Sequence, residues 1–143
     1  MINAFMRTIL ILLILTNVTL ASEKTSQAIS VKTPLPVTIR TMTFNVRNGR
    51  ANDGENRWEL RKEFVCDVIR DYAPDVLGVQ EAYRFQLDEF NKRLPEYGEV
   101  GIGRDGEAKG EHSSILYLKK RFDLDESGTF WLSDTPTKPS RHW

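Results

Sequence analysis

The sequence predicts an α/β (α+β) fold: a mixed sheet with helices on one face. Three observations carry that expectation. Runs of β-branched and aromatic residues alternate with stretches whose apolar residues recur at helical spacing. The first two strand-like runs are separated by a helical stretch long enough for a crossover. The later strand-like runs follow one another at short, turn-like intervals, as in a meander.

Taken in order, residues 1–21 stand outside the fold. Arg7 is the only charged side chain among them, and an unbroken apolar run, ILILLIL, follows at 9–15. Thr19 and Ala21 place small residues at the −3 and −1 positions before Ser22, which describes a secretory signal peptide cleaved after Ala21. Seven strong apolar residues are too few for a bilayer span, which needs about 20. The protein is therefore expected to be exported, periplasmic or secreted. Residues 22–36 are polar and Ser/Thr-rich and end at prolines, a flexible lead-in.

The domain is expected over 37–143. Residues 37–44 (VTIRTMTF) read as a strand. A polar loop with an Asp53-Gly54 turn signal leads to a helix over 57–72, with Leu60, Phe64 and Val68 as its apolar stripe beside Val65, Ile69 and Tyr72. Cys66, at the margin of that stripe, reads as a small packing residue. Ala73-Pro74 stops the helix, and 75–80 (DVLGVQ) is a short buried strand. A second helix is expected over 84–94, ended by Pro95. Strands are then expected at 100–103, 114–118, 122–124 and 128–132.

Composition excludes several classes. Of 143 residues 40% are apolar, and 20 basic residues balance 20 acidic ones, which fits neither a charged disordered tail nor wholesale phosphate-backbone binding. One cysteine excludes an intramolecular disulfide and a multi-thiolate zinc site, and two histidines exclude a histidine-rich metal site. The literal G-x-G-x-x-G at 101–106 is followed by another strand-like run rather than a helix, so it reads as a hairpin loop and not a dinucleotide fingerprint. Lys119-Lys120-Arg121 reads as a solvated turn.

The chemistry concentrates where strands end. The apolar run at 76–79 stops abruptly at Gln80-Glu81, and in open α/β sheets ligands bind at the carboxyl ends of strands. A carboxylate held there suits a hard cation such as Mg²⁺; the plainer reading is an acid favoured by a helix N-terminus. The first strand ends likewise at Asn45, either a turn former or a site residue. A β-α-β unit puts both strand ends on one edge, which makes Asn45 and Glu81 neighbours.

Together, TFNVR at 43–47, Asn56-Arg57-Trp58 opening a helix, PDVLGVQE at 74–81, GIGRDG at 101–106, Gly110-Glu111 before Ile115-Leu116-Tyr117, and GTFWLSDTP at 128–136 resemble the endonuclease/exonuclease/phosphatase superfamily of metal-dependent phosphoesterases. The pattern is similar to an exported bacterial branch with nocturnin-like motifs. The resemblance implies a four-layer α-β-β-α sandwich, of which this chain supplies the N-terminal half. It implies that Glu81 binds Mg²⁺ (or Mn²⁺), that Asn45 lies beside the scissile phosphate, that Glu111 hydrogen-bonds the catalytic histidine, and that Arg47 lies near substrate phosphate. The implied reaction is attack of water on a phosphoester of nucleic acid, phospholipid head group or sugar phosphate, with no stable protein partner.

The family's general-base histidine, Asp-x-Asn pair and closing Ser-Asp-His have no counterpart in this sequence. The chain is therefore expected to be a truncated, inactive part of an active enzyme. His112, adjacent to Glu111 on a strand, is expected to face the other side. The competing expectation is a secreted, non-catalytic binding module.

Overall fold

The computed structural model describes residues 36–140. The expected signal peptide at 1–21 and all of the lead-in except Pro36 lie outside the described residues.

Four strands form one sheet: β1 (Thr41–Asn45), β2 (Val76–Gln80), β3 (Tyr97–Val100) and β4 (Ile115–Leu118). Their order is β1-β2-β4-β3. β1 and β2 run parallel, with Thr41 opposite Val76 and Asn45 opposite Gln80. β4 is antiparallel to both of its neighbours. The sheet is mixed, as expected. The parallel pair is joined through α1 (Trp58–Tyr72), preceded by a 3-10 turn at Gly54–Asn56, and α2 (Arg84–Arg93) links β2 to β3.

Alternation along the strands sorts the two faces. Leu77, Val79 and Leu116 are buried in one core with Trp58, Val65, Cys66 and Ile69 of α1 and Leu87 and Phe90 of α2; Met42, Phe44 and Leu118 pack against it. Both helices therefore cover the same face, and Trp58 meets Phe90 edge-on at 5.8 Å between ring centroids. The opposite face carries Thr41, Thr43, Val76, Gly78, Gln80, Gly98, Val100, Ile115 and Tyr117. It mixes polar and apolar side chains, and the Thr43 hydroxyl donates to Gln80 Oε1 at 3.3 Å.

Four details differ from the sequence reading. The first strand begins at Thr41, not residue 37; just before it, Asp75 N donates to Arg40 O, and the Asp75 side chain, whose Oδ2 accepts Arg40 N at 2.8 Å and the Arg121 guanidinium, takes the place of further ladder pairing. The buried stripe of α1 is Trp58, Val65, Cys66 and Ile69, whereas Leu60 and Phe64 are 56% and 70% exposed. The helix carries two apolar stripes, and the one containing Trp58 faces the sheet. β3 lies at Tyr97–Val100 rather than 100–103. Residues 122–124 and 128–132 form no strand. Neither run extends an open edge of the sheet, on β1 or on β3, and Trp131 N bonds locally to Pro136 O.

Burial pushes the Cys66 thiol up to about 11, in keeping with a packing role.

Candidate active site

The parallel register fixes the site. With Asn45 opposite Gln80, the side chain of Asn45 lies one residue from Glu81, and Asn45 Nδ2 donates to Glu81 Oε1 at 2.8 Å. The chain turns sharply after each strand: Arg47 (φ 61°) and Glu81 (φ 60°) both adopt the left-handed region. A side chain there costs on the order of 1–3 kcal/mol and persists only where its surroundings impose it. For Arg47 the cause is visible. Asn45 Oδ1 accepts Arg47 N at 2.9 Å, closing a tight turn that swings the following residues over the strand ends.

That loop returns a second asparagine. Asn48 N donates to Glu81 Oε2 at 3.2 Å, and Asn48 Nδ2 donates to Glu111 Oε1 at 3.1 Å. Glu81 and Glu111, 30 positions apart in sequence, are thereby bridged by one residue, through the main-chain N–H of Asn48 on one side and its side-chain amide on the other. Arg104 completes the chain of contacts, donating to Glu111 Oε2 at 3.0 Å. The hydrogen bonds from Asn45 and then Asn48 hold the Glu81 carboxyl below the usual carboxylate range, so it is anionic at neutral pH.

The loop is held from beneath by buried Gln86. Its Oε1 accepts Gly49 N at 2.8 Å and Tyr83 N at 3.1 Å, and its Nε2 donates to Arg47 O at 3.0 Å. A Cβ at Gly49 would come within 2.5 Å of Gln86 Cδ, so only glycine allows this approach. Arg61 clamps the other side: its guanidinium donates to the carbonyls of Val46, Arg47 and Asn56.

All four expected site residues belong to this neighbourhood. Asn45 and Glu81 are in contact, and Glu111 is joined to them through Asn48. Arg47 differs: its guanidinium is committed to Asp53 through two bonds of 3.0 Å. His112 was expected to face away from Glu111, yet both line a cleft of about 670 Å³ beside Glu81. His112 is buried there, with Nδ1 lacking a hydrogen-bond partner; main-chain bridges tie it to Ala82 and Gly103. The Gly101–Gly106 stretch is a closed loop opening no helix, as expected, with Gly106 N bonded to Gly103 O.

Asn48, Gln86, Arg61 and Arg104 escaped the sequence reading. Asn48 and Arg104 lie in segments that read as turns. Gln86 reads as a polar helix position, and only its place three residues after Tyr83 hints that it reaches back to cap α2.

The residues fit a hard divalent cation. Glu81 is charged and oriented, and each of its oxygens accepts one hydrogen bond and retains capacity for another partner. Among the described residues no three His, Cys, Asp or Glu side chains cluster. One carboxylate with water completing the shell is the habit of Mg²⁺.

Residues 42–141 match the profile of the Endonuclease/Exonuclease/phosphatase family. An endonuclease/exonuclease/phosphatase from Bacteroides vulgatus is 36% identical, with a TM-score of 0.71, over 73% of this chain and 41% of its own. The mannosyl-6-phosphatase of Bacteroides thetaiotaomicron VPI-5482 is 37% identical, with a TM-score of 0.71, over 74% and 41%. The human nocturnin catalytic domain, solved with a bound sulfate anion, is 27% identical, with a TM-score of 0.55, over 66% and 38%. The chain thus spans about two fifths of the length of these structures. On a match that covers most of its length, this chain belongs to the Endonuclease/Exonuclease/phosphatase family.

Proposed function

We propose that the intact protein is a Mg²⁺-dependent phosphoesterase and that residues 41–118 build one wall of its active site. The observation that carries this reading is the Glu81 carboxylate, held in one orientation by Asn45 and Asn48 at the edge where two parallel strands end. Glu81 holds the cation. When bound, the cation polarises phosphoryl oxygens and stabilises the charge that develops on them.

The remaining roles are those the family resemblance implies, and the observed contacts are compatible with them. Asn45 holds Glu81 through Nδ2 and lies beside the scissile phosphate. Glu111 is the acid that orients a histidine base supplied by the rest of the domain, and Asn48 and Arg104 fix its two oxygens meanwhile. Arg47 serves substrate phosphate only by leaving or sharing its Asp53 partner. The mannosyl-6-phosphatase and the sulfate-bound nocturnin domain support a substrate bearing a phosphate group, with a sugar phosphate as one candidate class. The export expected from Arg7 and the apolar run at 9–15 belongs to the same proposal, and amino-terminal sequencing of the secreted product, which should begin at Ser22, tests it.

The 143-residue chain is proposed to be inactive by itself. It offers a carboxylate and an asparagine but no identified base for the attacking water, and general-base catalysis alone is worth roughly 10²–10⁴ in rate. The test is Mg²⁺-dependent hydrolysis of a generic phosphodiester and a sugar phosphate by the full-length protein, its Glu81→Gln and Glu111→Gln variants, and the 143-residue chain. Glu81→Gln should lose the most activity. Glu111→Gln should lose about 10- to 100-fold, as for groups that orient a catalytic ligand. Full activity in Glu81→Gln, or turnover by the short chain, overturns the assignment.

A further inference from the structure

The arginines around the site differ in one respect. Arg47 is committed to Asp53, Arg57 to the carbonyl of Gly54, Arg61 to three carbonyls and Arg104 to Glu111. Among the described residues, Arg50 is the one arginine whose guanidinium makes neither a hydrogen bond nor an ion pair. It lies instead over the ring of Tyr83, 4.1 Å from the centroid. Tyr83 follows Glu81 by two residues and stacks on Phe85 at 6.1 Å.

Arg50 is nonetheless built in place. Its main-chain N–H donates at 2.8 Å to Oδ1 of Asn48, the residue whose side-chain Nδ2 holds Glu111 and whose main-chain N–H holds Glu81. The preceding residue, Gly49, is pinned on Gln86. A guanidinium resting on an aromatic ring is oriented through its face, while its N–H donors at the edge remain free. Those donors match the two oxygens of a phosphate. An arginine serving only solubility needs neither a fixed backbone nor an aromatic support.

We propose that Arg50, supported by Tyr83, is a subsite for a second phosphate group of the substrate, remote from the scissile bond. The substrate class is then a phosphoester carrying two phosphates rather than one. This inference rests on the phosphoesterase reading of the Glu81 edge and adds to it a determinant of substrate choice.

The test uses a matched pair of probes, 1-propyl phosphate and propane-1,3-diyl bisphosphate. Each is titrated into the 143-residue chain in Mg²⁺ buffer, with affinity read by calorimetry and the Arg50 Nε–Hε signal by NMR. The bisphosphate should bind at least tenfold more tightly than the monophosphate, beyond the twofold statistical advantage of two phosphates, and should shift the Arg50 signal. Arg50→Ala should reduce bisphosphate affinity to the monophosphate level and leave the monophosphate unchanged. Arg50→Lys, which keeps the charge but loses the fork, should recover only part of the preference. Arg50 is exposed, so an unchanged far-UV spectrum and melting temperature should accompany both variants. Equal binding of the two probes by the wild type, or a preference that survives Arg50→Ala, overturns the Arg50 subsite and leaves the phosphoesterase reading standing. Binding of neither probe overturns the Arg50 subsite, while the phosphoesterase reading stands or falls separately on the Glu81→Gln assay.

Discussion

The strand-end loop at 45–50 and the segment at 119–140 have similar polar, turn-rich sequences, yet the structure treats them in opposite ways. In the loop, Asn45, Arg47, Asn48 and Gly49 each make a hydrogen bond with a partner in the loop or in a neighbouring element, and Val46 is buried. In the segment, Trp131 Nε1 donates to Arg104 O at 2.7 Å and Ser133 meets Ser140, while Phe130 and Leu132 remain 73% and 74% exposed. The difference lies in what each follows. The loop leaves the end of one parallel strand and lands on the end of another, so the sheet's register dictates its geometry. The segment leaves the end of β4 and joins no ladder: apart from Lys119 N, which donates to Glu96 O, its main-chain hydrogen bonds are local, and side chains such as Arg121 and Trp131 carry the rest of its attachment.

The largest test of this contrast is stability. Leu77→Ala removes a fully buried side chain from β2 and should cost about 2–5 kcal/mol by urea denaturation, whereas Leu132→Ala should change stability by less than about 0.5 kcal/mol. Equal effects would show that the segment is anchored more firmly than its contacts indicate. Next comes Gly49→Val. It places carbon where Gln86 and Phe85 already sit, which should cost about 1–3 kcal/mol and reduce divalent-cation affinity by disturbing Asn48.

Legibility followed the same divide. Asn45 and Glu81 could be found because periodicity locates strand ends, and a crossover between parallel strands brings two such ends together. The two helices and the mixed sheet were legible for that reason too. The stripe of α1 was not: Leu60, Phe64 and Val68 recur as regularly as Trp58, Val65 and Ile69, and only the sheet's position chooses between them. Likewise 128–132 has the composition of a strand, yet it joins neither open edge of the sheet, on β1 or on β3, and composition does not say whether an edge will be met. Glu111 was reached through family resemblance alone, since its link to Glu81 runs through an asparagine that reads as a turn residue.

A smaller effect concerns acid. Asp75, held below the usual carboxylate range by the Arg40 N–H and by Arg121, fastens the start of β1 to the chain beyond β4. A depressed folded-state value means that its stabilisation is complete above the unfolded value, near pH 4, and is lost as pH falls through the lower folded one. Asp75→Asn should therefore destabilise the protein at pH 7 and flatten the acid limb of a melting-temperature profile; an unchanged limb would place the acid sensitivity elsewhere. The smallest expected signal is at Cys66. Buried and with its thiol pushed up to about 11, it should resist alkylation at pH 8 until urea unfolds the domain, whereas rapid native-state labelling would show that the core of α1 opens locally.

The strand order has a consequence for how the domain assembles. No ladder in the sheet joins strands linked by a tight hairpin: β1 and β2 pair across positions 41 and 76, β2 and β4 across 76 and 117, and even β3 and β4 come no closer than 100 and 115. Long loops must close before any of these contacts is rewarded, which places the chain among the slower folders of its size. β2 is the strand on which this depends, because its release unpairs β1 and β4 together. Asn45, Glu81 and the segment leading to Glu111 would then separate in one event, so the site opens and closes as a single cooperative unit.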